Sequence, residues 1–151
     1  MHLHHFAGIC SLAGWLALTA PLLAADKKND KATAENVARQ FRKAMEAAKS
    51  YSYEKKDEYQ KKLQASLDRI DRQIEVWKEK ADEAKGKSKK EYKQKVADLK
   101  RLRARAQTQL KRVKKATPGA WEDVKSGVSS AMSNLRQAFE KAASHFQKKE
   151  E

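Results

Sequence analysis

The sequence predicts an all-α fold: a long antiparallel helical hairpin, a coiled coil, with an additional amphipathic helix on its N-terminal and on its C-terminal side. Three observations lead there. Leu63, Leu67, Ile70, Ile74, Trp77, Ala81 and Ala84 alternate steps of four and three, the spacing of a heptad seam. Beyond a short "KGKSKK" break, Tyr92, Val96, Leu99, Arg103, Ala106, Leu110 and Val113 repeat that alternation. Charged residues form 36% of the chain and aromatics 7%, with five Gly and two Pro in 151 residues, a composition suited to long helices. A chain of this length is at most one small domain. It is expected to bury a seam and not a globular core, so its stability is expected to come from helix pairing.

The first 25 residues differ from the rest. "MHLHHFAGICSLAGWLALTAPLLAA" carries no Lys, Arg, Asp or Glu, and its apolar run from Phe6 to Leu23 ends in the small residues Ala24 and Ala25. The run is short and interrupted by Gly, so it reads as a secretory signal cleaved near Ala24/Ala25, with an uncleaved anchor as the alternative. His2, His4 and His5 stand where Lys or Arg is usual in such a leader; a metal-binding role for them is set aside in favour of a discarded leader end. Cys10 follows Ile9 and comes too early for a lipoprotein site, so the mature chain is expected to be cysteine-free. A periplasmic or secreted location follows.

Residues 26–56 form the next segment. After a polar start, "ATAENVARQFRKAMEAAKS" sets Val37, Phe41, Ala44, Met45 and Ala48 at helical spacing, an N-terminal amphipathic helix. "YSYEKKDEYQ" then serves as a joint or continues the helix. The hairpin covers 57–115 with its turn near 86–88, Gly86 acting as helix stop and Ser88 as N-cap of the second arm. A short turn makes the two arms antiparallel. Their seams then mirror each other, Trp77 meeting Leu99, Ile70 meeting Ala106 and Leu67 meeting Leu110, each pair adding to 176 or 177. Arg103, opposite Ile74, is the misfit; its stem packs while its charge reaches water.

The last segment, 119–147, follows "KKATPGAWEDV". Thr117 is placed to N-cap and Pro118 to open the helix, with Glu122 and Asp123 in its first turn. Its apolar set, Trp121, Val124, Val128, Ala131, Met132, Leu135, Ala138, Phe139, Ala142 and Phe146, is a wider stripe than either arm's. This helix must bury itself against something, and at roughly 40 Å it is long enough to fold back along the hairpin.

Catalytic constellations are missing from the sequence. There is no phosphate-binding glycine loop, Ser-His-Asp set or zinc-ligand spacing. His145, the one histidine beyond the leader, reads as a packing residue. Trp77, Trp121, Phe139 and Phe146 sit at seam positions and read as core before base-stacking groups. No enzyme activity and no cofactor is expected.

With the hairpin and "GAWEDVKSGVSSAMSNLRQAFEKAASHF" both in view, the chain resembles a family of small bacterial coiled-coil stress-response proteins, sometimes grouped with apolipoprotein-like domains. The resemblance covers about Lys55 to Gln147 and is strongest from Gly119 onward. It implies a stress-associated role without catalytic residues. The secretory leader and the excess of Lys and Arg depart from the family pattern.

Charge is the remaining clue. Residues 57–85 hold seven basic and eight acidic side chains, whereas 87–115 hold thirteen basic and two acidic. Nearly all of the net +14 therefore rides on one helix. In the mirrored register Lys78 falls opposite Lys100, Lys85 opposite Lys93 and Lys80 opposite Lys95, while Asp71 faces Gln107 and Asp68, Glu75, Glu79 and Asp82 lie on the outer face. The second arm is thus expected to keep its charge for an external partner, with Lys100, Arg101, Arg105, Lys111 and Arg112 as the candidate anion-binding residues. Behind a secretory leader the expected partners are anionic lipid, lipopolysaccharide or further copies of the chain. Nucleic acid becomes the partner only if the chain stays in the cytoplasm. An apolipoprotein-like, lipid-binding use of the last helix is the alternative.

Overall fold

The structure, a computed structural model, describes residues 22–148, with side chains described for 34–147. It is all-helical in that range, built from α1 (Leu22–Ala48), α2 (Lys56–Glu83), α3 (Gly86–Arg112) and α4 (Trp121–Lys148). Residues 1–21 of the expected leader, with His2, His4, His5 and Cys10, lie outside the described residues. α1 begins at Leu22 and so runs across the expected cleavage position at Ala24/Ala25. No helix among the described residues is long and apolar enough to cross a membrane.

The four helices pack around one another in chain order, α1 on α2, α2 on α3, α3 on α4, and α4 back on α1. Contacts across each pair run in opposite directions along the two helices. Asp82 meets Lys93 while Asp71 meets Arg103 between α2 and α3. Arg42 meets Glu140 while Lys125 reaches the carbonyl of Lys49 between α1 and α4. This closed arrangement overturns the expectation of a seam without a core. Leu67, Ile70, Leu110, Val113, Val128, Met132 and Leu135 are inaccessible to solvent, and they belong to one contiguous cluster fed by all four helices. Closure follows from the wide stripe on α4, which needs more apolar cover than α3 alone supplies and finds the rest on α1.

Aromatic side chains close both ends of the bundle. At one end Tyr59 sits edge-on to Trp121 with ring centres 5.3 Å apart, and Tyr51 and Tyr53 flank the pair. At the other, Phe146 stacks on Trp77 at 5.1 Å and on Tyr92 at 4.3 Å, so α4 is clasped by the end of α2 and the start of α3.

The connections differ from expectation in detail. α2 ends at Glu83, and extended Ala84 and Lys85 make the link. Gly86 is the first residue of α3 and not the stop of α2; its φ of +58° is left-handed, the region glycine enters without steric cost. Lys85, not Ser88, holds the N-cap position of α3 and makes no side-chain cap. Likewise Thr117 is extended before Pro118 as expected, yet its hydroxyl makes no cap bond. Pro118 opens a single 3-10 turn, and this turn feeds directly into α4.

A candidate anion-binding face on α3

α3 packs its Tyr92, Val96, Leu99, Ala106 and Leu110 inward, so residues half a turn away face solvent. Lys90, Arg101 and Arg112 recur at intervals of eleven residues, three helical turns, which returns them to nearly one azimuth. All three are exposed, and Arg105, one turn beyond Arg101, and Lys115 lie beside the same line. The stripe from Lys90 to Arg112 is about 33 Å long at 1.5 Å per residue. Arg101 sits 3.5 Å from Asp98, and Arg112 donates to the Oε1 of Gln109 at 3.1 Å. Lys90, Arg105 and Lys115 make no ion pair among the described residues.

The five predicted residues divide into two groups. Arg101, Arg105 and Arg112 lie on the stripe. Lys100 and Lys111, also eleven apart, lie on the flank turned toward α2. There Lys100 reaches the Glu75 carboxylate at 2.9 Å, and this bond, with a further contribution from Lys78, holds the Glu75 carboxyl below the usual carboxylate range. Lys111 is exposed and makes no ion pair among the described residues. Lys90 and Lys115 escaped the sequence reading, although their spacing from Arg101 was available to find them.

The expectation that α2 leaves α3 unneutralised needs correction. Lys93 pairs with Asp82 at 3.2 Å, Lys100 with Glu75, and Arg103 with Asp71, three contacts absent from the mirrored register. Asp71 therefore does not face Gln107, whose amide exchanges hydrogen bonds with Gln64 at 2.8 and 3.2 Å. The physical cause is reach. Lys and Arg carry three- or four-methylene stems, so their charged ends swing along the flank to acids that a register of Cα positions assigns to the outer face. Neutralisation by α2 is confined to that flank; on the outward stripe the one ion pair among the described residues is Arg101 with Asp98 of α3 itself.

His145 packs between α4 and α3, 3.5 Å from Glu91 and edge-on to Tyr92 at 5.8 Å. No group of three or more His, Cys, Asp or Glu placed to hold a metal ion occurs among the described residues. A scan against protein-family models and searches of curated proteins and of solved structures found no match.

Proposed function

We propose that this chain is a non-enzymatic, exported coiled-coil interaction protein of the cell envelope, related to stress as its family resemblance implies, and that it binds anionic surfaces through the outer face of α3. In this reading α2 and α3 form the antiparallel coiled-coil hairpin, and α1 and α4 brace it. The observation that carries the reading is the Lys90–Arg101–Arg112 stripe with Arg105 alongside. It is exposed along the length of a helix, and α2's acids relieve only the neighbouring flank. Exposed charges act over about 8 Å at physiological salt, and the stripe's cations lie about 16 Å apart, so each engages a flat anionic surface locally while the rigid helix presents them together. Lipid bilayers rich in anionic headgroups and lipopolysaccharide are the partners that fit an envelope location.

The apolipoprotein-like alternative draws less support. Val128, Met132, Leu135 and Phe139, the residues that would enter lipid, are at most 1% exposed, so α4 would first have to leave the bundle.

The test replaces charges by group. Near an anionic membrane each Lys or Arg contributes about 1 kcal/mol, so Arg101, Arg105 and Arg112 together changed to Gln should weaken vesicle binding about 150-fold at low salt. The pair Lys100→Gln and Lys111→Gln should cost less than tenfold, because Lys100 is already engaged by Glu75. Binding of both variants would be measured on anionic vesicles and on lipopolysaccharide, with circular dichroism to verify helicity. Equal loss in the two variants would show that total charge, not the stripe, drives binding. Mass measurement of the native protein tests export: loss of residues up to Ala24 or Ala25 is expected, and an intact Met1 in the cytoplasm would shift the partner to nucleic acid.

A further inference from the structure

A second place on the molecule is built to receive a ligand, remote in character from the basic stripe. Where the end of α1 meets the starts of α2 and α4, a cleft of about 310 Å³ opens. Its floor is apolar, supplied by Met45, Leu63 and Met132, with Tyr59 in the wall. The two methionines suit an adjustable floor, since their unbranched side chains adapt to different shapes.

The hydroxyls of the cleft have no protein partner among the described residues. Tyr59 is 1% exposed, yet its hydroxyl makes no hydrogen bond among the described residues; burial alone raises its pKa, which keeps it a proton donor. Ser126, Ser129 and Ser130 bring three hydroxyls from successive turns of α4 to the mouth. Ser66, Ser144 and Thr108 each donate to the carbonyl four residues back, as hydroxyls inside helices commonly do. The three serines at the cleft make no such bond.

Donors gathered at the mouth suit an acceptor, with Lys125 as the cation nearest them. Lys49 and Lys125 stand there, Lys49 held by Glu46 at 2.9 Å on its own helix and Lys125 turned into the cleft beside the hydroxyls. The Lys125 side chain is 18% exposed, and its ammonium holds Glu122 at 2.9 Å but only touches the carbonyls of Tyr51 and Lys49, at 3.4 and 3.5 Å. A better acceptor in the cleft would displace these long contacts at small cost. We propose that this cleft binds a small monocarboxylate with an apolar body: the body lies on the methionine and leucine floor, and the carboxylate accepts from the serine and Tyr59 hydroxyls beside Lys125. At about 30 Å³ per water-sized group the volume admits about ten non-hydrogen atoms, which fits a medium-chain fatty acid or an aryl-alkanoate.

Octanoate is the probe, titrated calorimetrically into the full chain at submicellar concentration. One saturable site per chain is expected. Octanol, octylamine and acetate, which lack the charge, invert it or lack the body, should each bind at least tenfold more weakly. Ser129→Phe plugs the mouth from an exposed position and should abolish binding while circular dichroism stays unchanged. Lys125→Met should weaken octanoate about tenfold and leave octanol unaffected, and Tyr59→Phe provides a second, isosteric variant expected to weaken octanoate. Substituting 4-phenylbutanoate decides between an aliphatic and an aryl body, either of which supports the site. The proposal is overturned if octanoate shows no saturable binding, if it binds Ser129→Phe as well as the native chain, or if octylamine binds as tightly.

Discussion

Phe146→Ala tests whether the far end of α4 is held by the bundle as described. Phe146 is 3% exposed and stacks on Tyr92 at 4.3 Å and on Trp77 at 5.1 Å, joining three helices with one ring. Truncating a buried Phe to Ala costs about 3–5 kcal/mol, from lost transfer free energy and the cavity left behind. Two ring contacts of about 0.5–1.5 kcal/mol each are part of that cost. α4 ends at Lys148, so its last turn can relax into the space, and the expected loss lies near the lower bound, about 3 kcal/mol. A domain of this size is stable by about 5–15 kcal/mol, so the loss would be a large share of the total. It would lower Tm by about 6–12 °C. Urea unfolding followed by far-UV circular dichroism measures the change, and the near-UV signal of Trp77 reports the same contact locally. A cost below about 1 kcal/mol, with the near-UV spectrum unaltered, would refute the docking of this end of α4. The same variant separates the two lipid readings: if α4 opens onto membranes, Phe146→Ala should raise binding to uncharged vesicles, whereas binding through the α3 stripe should be unchanged.

Other consequences are accessible to simple measurements. Arg103→Leu should be neutral or stabilising by up to about 1 kcal/mol, because it removes a half-exposed pair of small net worth, returns an apolar group to the inward face and leaves Asp71, 40% exposed, in contact with water. A loss above 1 kcal/mol in urea titration would mean that the Arg103–Asp71 pair contributes more than its exposure allows. Tyr59 has a pKa raised by burial above its ordinary value of 10, so the folded state holds this proton more tightly than the unfolded chain. Its contribution to stability is complete below pH 10 and declines as pH rises beyond it; Tyr59→Phe should therefore lose less stability between pH 9 and pH 11 than the native chain. Cysteines at Ile70 and Ala106, both fully buried, should crosslink if α2 and α3 keep their antiparallel register, while Ile70 with exposed Thr108 should not; equal yields would reject that register.

What was legible in the sequence is what depends on near neighbours. Steps of three and four along 63–84 and 92–113 return side chains to one helix face, and that periodicity alone foretold two long helices and most of their buried residues. Pro118, Glu122 and Asp123 marked the approach to α4 for the same local reason. The eleven-residue recurrence of Lys90, Arg101 and Arg112 was equally present in the sequence, because it too is a property of one helix. Tertiary structure decided the rest. Tyr59, Ser66 and Gln73 lie outside the seven-residue seam of α2 yet are buried, since a helix inside a four-membered bundle touches two neighbours and covers a wider arc than one arm of a hairpin. Which acids quench which cations depended on where long side chains reach across a helix pair, as Lys100 does to Glu75. The cleft at Tyr59 gathers residues from α1, α2 and α4 that are separated by up to 87 positions, from Met45 to Met132. No local pattern encodes such a meeting, because it exists only once the apolar stripes of distant helices have found one another.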